Sequence, residues 1–261
     1  MLGMATLLVG SLLSIVANKA EGATPIQLNL KVLLVGSGPN DPTTSAWESA
    51  LTSEGVPYTE VTANTSGGYG AYTAALPTLP STAGSVGPYN GVVIADSPAA
   101  YAAGQLTSLF TYESLYGVRQ IDGYTYPYLG ITDATSGALD GTTGTLTPAG
   151  LAALPELSGP VPFDTGTYGY GATVNPGAPF TPWLDNAAGQ VLGGVYQHPS
   201  TDAQANVSEL ELDFDYNANQ LQFELLAPGL INWVTADTHL GLYRNYFGQD
   251  VDDNFISDNE W

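Results

Sequence analysis

The stretch LYRNYFGQDVDD at residues 242–253 reads as a strand ending in two adjacent carboxylates, Asp252 and Asp253. Adjacent acids at a strand's exit can divide roles: one ligates a divalent metal while its neighbour takes a proton from the metal's water. Asp250, Asp258 and Glu260 crowd the same segment, so a loop of solvated acids is the plain alternative. The alternating Asp ladder, central glycine and final Glu of an EF-hand are out of register here.

A second acidic pattern is Glu209, Glu211, Asp213 and Asp215, which alternate with Leu210, Leu212, Phe214 and Tyr216. On a strand such acids share one face at ~7 Å spacing. A bound cation or amino-sugar polymer would relieve their mutual repulsion. A charged solvent face is the commoner arrangement and is the expectation. The two histidines, His198 and His239, are too far apart to grip zinc from one helix. His198, before Pro199, is expected on the surface. His239 lies between a helix and a strand and suits a capping role. Cysteine is absent, which removes thiolate catalysis, disulfides and Cys-ligated zinc. No Gly-x-Ser-x-Gly elbow supports a serine hydrolase.

These residues need elements to hold them. Residues 31–35 form an apolar run that reads as a buried strand, followed by a turn at Gly36-Ser37-Gly38-Pro39-Asn40. A helix follows, with Ser45 and Glu48 at capping-box spacing, Trp47 on its apolar face and Gly55 as its stop. Residues 56–61 and 92–96 read as further strands, and 105–116 as a helix. The opening is therefore α/β, with flavodoxin-like βαβ layers. Gly36-x-Gly38 lacks the third glycine of a dinucleotide fingerprint, and Pro39 and Asp41 disfavour phosphate, so a plain strand-to-helix turn is expected. From Gly117 the texture turns β-rich, with Tyr, Gly and Thr prominent, as in Tyr124-Thr125-Tyr126-Pro127-Tyr128 and Tyr168-Gly169-Tyr170. A hairpin is expected over 191–196 with Gly193-Gly194 at its bend. The cleanest strand is 207–216. A helix is expected over 219–227, with Pro228 opening a second helical stretch through Val234.

Composition bounds the partners. Four Lys+Arg stand against 25 Asp+Glu, a formal net charge of -21. That leaves no basic footprint for a nucleic acid backbone or an anionic membrane. Partners should be neutral or cationic. The 16 tyrosines and 4 tryptophans outnumber the 7 phenylalanines, and such amphipathic rings can lie flat against sugars. Trp183, after Thr181-Pro182 in an expected loop, is the stacking candidate. Residues 1–17 form an apolar run shorter than the ~20 residues of a stable membrane span. With a small-x-small site at Ala20-Glu21-Gly22, residues 1–22 read as a signal peptide, although Lys19 follows the run instead of preceding it. The expected location is secreted or extracellular.

Two groups of residues carry a family resemblance. His239-Leu240-Gly241-Leu242-Tyr243-Arg244-Asn245-Tyr246 with Val251-Asp252-Asp253 resembles the entry to the catalytic barrel of the secreted galactosaminogalactan deacetylase family. Gly117-Val118-Arg119-Gln120 and Asn219-Gln220-Leu221-Gln222-Phe223 resemble that family's non-catalytic N-terminal region. The resemblance implies a metal-dependent polysaccharide N-deacetylase acting on an N-acetylated amino-sugar polymer, preceded by a carbohydrate-binding region. By it, Asp252 is the general base and Asp253 a ligand of a divalent metal, zinc in the full-length parent. The family's two histidine ligands and acid-base histidine have no counterpart after Asp253. The chain is therefore expected to be an inactive N-terminal fragment that holds no metal of its own. Its expected organisation is a signal peptide at 1–22, a carbohydrate-binding region at 23–238 and the first strand of a truncated barrel at 239–261. Substrate-binding candidates are Trp183, Glu209, Glu211, Asp213 and Asp215. The alternatives are a complete glycan-binding or adhesion protein, in which Asp252-Asp253 is incidental, and a nucleotide- or flavin-binding module.

Overall fold

The computed structural model describes residues 26–82 and 84–238. Asp252, Asp253, His239, the apolar start of the chain and the expected barrel strand lie outside the described residues. Five strands build the parallel part of the sheet: β1 (Val32–Gly36), β2 (Tyr58–Thr62), β3 (Gly91–Ile94), β4 (Gln120–Asp122) and, far along the chain, β11 (Ser208–Leu212). Their spatial order is β2-β1-β3-β4-β11, with every adjacent pair parallel. This is the flavodoxin-like order with β11 in fifth place.

The β-rich texture after Gly117 extends this same sheet. Between β4 and β11 the chain forms β5 (Ile131–Ala138), β6 (Thr143–Leu146), β7 (Val161–Pro162), β8 (Tyr168–Val174), β9 (Phe180–Asp185) and β10 (Val191–Gln197). β10 pairs antiparallel with β11, and β9, β6 and β7 follow outward. β8 pairs with β5 and touches β10.

Helices cover both faces. α1 (Pro42–Ser53) and α4 (Leu221–Val234) pack Trp47, Leu51, Phe223, Leu226 and Leu230 against Val32, Leu34, Val93, Ile121, Leu210 and Leu212. α2 (Thr107–Tyr116) packs Leu109, Tyr112 and Tyr116 on the opposite face, against Leu33, Val35, Val92 and Ile94. The short α3 (Pro148–Ala153) lies beside β6 and β9. Because side chains alternate along a strand, the α2 face continues across β4 and β11 as Gln120, Asp122, Glu209 and Glu211, in register with one another. That face is apolar at β1–β3 and acidic at β4–β11.

Three local expectations are corrected. α1 starts at Pro42, not at a Ser45–Glu48 box: Asp41 is the N-cap and accepts the Thr44 amide at 2.7 Å, while Pro42 presets the first helical φ. α4 runs unbroken through Pro228. Pro228 is on the exposed side of the helix, where the hydrogen bond lost with its missing N–H does not leave a gap in the core. Buried Phe223, Leu226, Leu230, Ile231 and Val234 hold both halves to the sheet.

Gly193 and Gly194 do not bend a hairpin. They sit inside the single strand β10, where its pairing with β9 shifts register. A Cβ on Gly194 would lie 2.5 Å from the Thr181 carbonyl oxygen and 2.6 Å from the Phe180 ring. Gly194→Ala is therefore expected to cost about 2 kcal/mol of stability by overpacking, read from chemical denaturation.

Candidate functional site

The acid row on β11 is buried. Glu209, Glu211 and Asp213 are each at most 1% exposed, so the expected solvent face is corrected to a covered one. The reason is position: β11 is an interior strand, with α4 over its leucines and α2 and the 198–207 segment over its acids. Only Asp215, past the end of the strand, keeps partial exposure.

Glu209 is the hub. Its Oε2 lies 2.6 Å from His198 Nε2, and Asp202 Oδ2 lies 3.1 Å from His198 Nδ1. With a carboxylate on each ring nitrogen, His198 is held as an imidazolium. Burial pulls its pKa down, but the hydrogen bonds and charges of Glu209 and Asp202 outweigh it, and the net shift is upward. His198 is buried, not on the surface as expected.

On its other side Glu209 Oε1 meets the Tyr128 hydroxyl at 2.7 Å, and Asp122 Oδ2 meets the same hydroxyl at 2.7 Å. One phenolic proton cannot serve two carboxylates. One of the two acids must carry a proton and donate it to the hydroxyl oxygen. Asp122 is that acid, because burial and the neighbouring Glu209 raise its pKa well above the ordinary range. Glu209 goes the other way: burial pushes it up, yet His198, Asp122 and Tyr128 together leave it lowered. The result is an ordered chain of hydrogen bonds from protonated Asp122 through Tyr128 and ionised Glu209 to His198 and the partly exposed Asp202.

Glu113, Glu211 and Asp213 are biased towards the neutral form by the same physics. Burial raises Glu113 on α2, with the Glu209 charge adding to it, while Gln204 Nε2 donates at 3.0 Å and pulls the other way. Burial raises Glu211 to about 8; the Tyr128 and Leu129 amides oppose this but fall short of hydrogen-bond geometry. Asp213 is raised by burial and by Glu211 and Asp133. The formal charge of -21 therefore overstates the charge at the surface, since several of its carboxyls are buried and biased towards the neutral form.

Above Glu209 opens a cavity of about 380 Å³. Tyr101, Phe110 and Leu106 form apolar walls, and Tyr128, His198, Gln204 and Glu209 supply the polar floor. The Tyr128 ring is 38% exposed while its hydroxyl reaches the buried acids.

Beside the far end of the acid row lies a tyrosine face. Tyr170 packs edge-on against Tyr126 at 5.0 Å and Tyr168 at 5.5 Å, and lies near-parallel to Tyr124 at 6.3 Å. Tyr126 and Tyr168 are 52% and 40% exposed. The acid row anchors this face: the Tyr170 amide donates to the Asp213 carbonyl at 2.7 Å, and the Tyr168 amide to Asp215 Oδ1 at 2.6 Å. Tyr126 Oη donates to Asp133 Oδ2 at 3.1 Å. Exposed rings stack on the C–H faces of sugars, and rim carboxylates accept hydroxyl or ammonium protons.

The structure thus brings Glu209, Glu211, Asp213 and Asp215 into one row but leaves Trp183 apart. Trp183 lies on β9, not in a loop, is 8% exposed and packs edge-on against Trp233 at 5.5 Å, so its ring is unavailable for stacking. Glu113, Asp122, Tyr128 and His198 are the residues that sequence reasoning missed. Glu113 did carry a signal: it shares the spacing of Leu109, Tyr112 and Tyr116, the buried face of α2. Among the described residues no group of three or more His, Asp or Glu side chains has the arrangement to hold a metal ion. Nor is any helix among them long and apolar enough to cross a membrane.

No protein-family model and no curated protein matches the chain. Among solved structures, Agd3, described as a novel carbohydrate deacetylase, superposes with a TM-score of 0.66 at 20% identity. The two share a fold. The match covers 84% of this chain and 34% of Agd3, so this chain spans about a third of that protein's length. A β-galactosidase from the Antarctic haloarchaeon Halorubrum lacusprofundi matches over 79% of this chain and 30% of its own, at a TM-score of 0.46 and 13% identity, too slight a likeness to define a fold.

Proposed function

We propose that this chain contributes the carbohydrate-binding part of a secreted, metal-dependent polysaccharide N-deacetylase acting on an N-acetylated amino-sugar polymer. The observation that carries the reading is the shared fold with Agd3 over most of the described residues. The tyrosine face supports it with chemistry suited to a sugar chain: exposed rings, rim acids and a rigid sheet beneath. In this reading Asp252 is the general base and Asp253 a zinc ligand in the full-length parent. The described residues bind and orient the polymer.

Deacetylation exposes amines, so a partly deacetylated polymer is cationic and is drawn to the surface acids near the tyrosines. The test is affinity electrophoresis or calorimetry against fully acetylated and partly deacetylated galactosamine- or glucosamine-containing polymers. Tyr126→Ala with Tyr168→Ala is expected to weaken binding by about tenfold or more without unfolding the sheet. Binding of the deacetylated polymer should also weaken as salt rises, while that of the acetylated one should not. No binding to any amino-sugar polymer, or binding indifferent to both tyrosines, would overturn the reading.

A further inference from the structure

We propose that the cleft at the carboxyl ends of β1 and β3 is a second ligand site, separate from the tyrosine face, and that it takes a sugar bearing a free amine. In a sheet of this order the connections leaving β1 and β3 turn to opposite faces, which opens a crevice between them. Here β1 leads to α1 on one face and β3 to α2 on the other.

The crevice holds a defined set of groups. Ser37, just after β1, donates its hydroxyl to Asp96 Oδ2, just after β3. The other Asp96 oxygen accepts no hydrogen bond from the described residues. Asp41, at the start of α1, is close enough to Asp96 to disfavour its ionisation further, after burial. Over these acids runs a ladder of three rings: Tyr69 packs edge-on to Tyr72 at 6.4 Å, and Tyr72 to Tyr101 at 5.9 Å.

Tyr69 is 65% exposed and Tyr101 only 6%. The Tyr101 hydroxyl is buried with no hydrogen-bond partner among the described residues. Tyr101 is tied to this cleft by its ring contact and backbone bridge to Tyr72, and its ring also walls the neighbouring cavity above Glu209. An orphaned buried hydroxyl is costly, and a ligand atom reaching it recovers that cost. The ladder is built in, since the Tyr72 amide donates to the Ala100 carbonyl at 3.0 Å and the Ala102 amide to the Tyr72 carbonyl at 2.9 Å.

The chemistry selects the ligand. Phosphate is excluded: Asp41 already caps the α1 amides, and Pro42 offers none. The open oxygen of Asp96 takes a cation or a hydrogen-bond donor, the hydroxyls pair with ring hydroxyls, and tyrosine faces stack on a pyranose and attract an ammonium. An amino sugar carries all of these at once. The site does not depend on polymer binding elsewhere.

The test is calorimetric titration of the full chain with glucosamine hydrochloride and with N-acetylglucosamine. The free amine is expected to bind about tenfold tighter than the acetylated sugar. Asp96→Asn should erase that preference. Tyr69→Ala, at an exposed position that leaves folding intact, should weaken binding several-fold, and Leu151→Ala, exposed on α3, should change nothing. Absence of glucosamine binding, or binding untouched by both Asp96→Asn and Tyr69→Ala, overturns the proposal. Loss on Tyr126→Ala alone reassigns the sugar to the tyrosine face.

Discussion

Raising the pH from about 5 to about 9 is expected to destabilise this protein, the reverse of ordinary acid denaturation. Glu211 titrates at 4.5 in an unfolded chain and at about 8 in the folded one. Across that window the folded state keeps a proton that the unfolded state has released. Each pH unit therefore costs the fold up to about 1.4 kcal/mol for this one group. Its stabilisation is complete below 4.5 and gone once the pH has passed through its folded value. Glu113, Asp122 and Asp213 are raised and act with the same sign. His198, also raised, contributes below 6.5 and loses that contribution as the pH climbs through its folded value. Among the described residues Glu209 opposes them: its pKa is lowered, so its contribution is lost as the pH falls through that lowered value. The maximum of stability should lie in mild acid. Thermal melts across this range should show it, and Glu211→Gln should narrow the difference in Tm between the two ends by roughly 5–10 °C. A Tm that rises steadily towards alkaline pH would show these carboxyls to be ionised in the folded state.

His198→Ala is expected to cost about 3–5 kcal/mol, because it strands the buried Glu209 charge with Tyr128 as its remaining close partner. Neutralising that charge should repair much of the damage, so Glu209→Gln on the His198→Ala background is expected to be more stable than His198→Ala alone. The double-mutant cycle from urea denaturation measures this coupling directly. A His198→Ala loss below about 0.5 kcal/mol would mean that the pair is not ionised. The same variant removes the polar link between the cavity floor and the partly exposed Asp202.

The parallel layers were legible because their strands are short apolar runs separated by helices, and Trp47 was legible as core from the spacing of its helix face. The place of the β-rich half was not. The return of the chain to the parallel sheet at β11, after six intervening strands, is a long-range pairing that leaves no local mark. That pairing decides the fate of the acids. Alternation of Leu with Glu and Asp from 209 to 215 reads as one dry and one wet face, yet an interior strand covered by α2 has no wet face. Gly193 and Gly194 misled in the other direction: adjacent glycines suggest a bend, whereas here they let β9 and β11 approach a bulged strand. His198 drew a surface assignment from the Pro199 beside it, and only the fold shows Glu209 waiting across β10 and β11.

The most direct test of the central claim, that the tyrosine face of the inserted strands carries an amino-sugar polymer, is a footprint of the bound polymer. Hydrogen exchange of the chain with and without a partly deacetylated galactosamine polymer reads it residue by residue. Protection is expected at residues 124–128, 168–171 and 213–215, with α1 and α4 unchanged. Protection confined to the α1–α4 side, or none at saturating polymer, would contradict it.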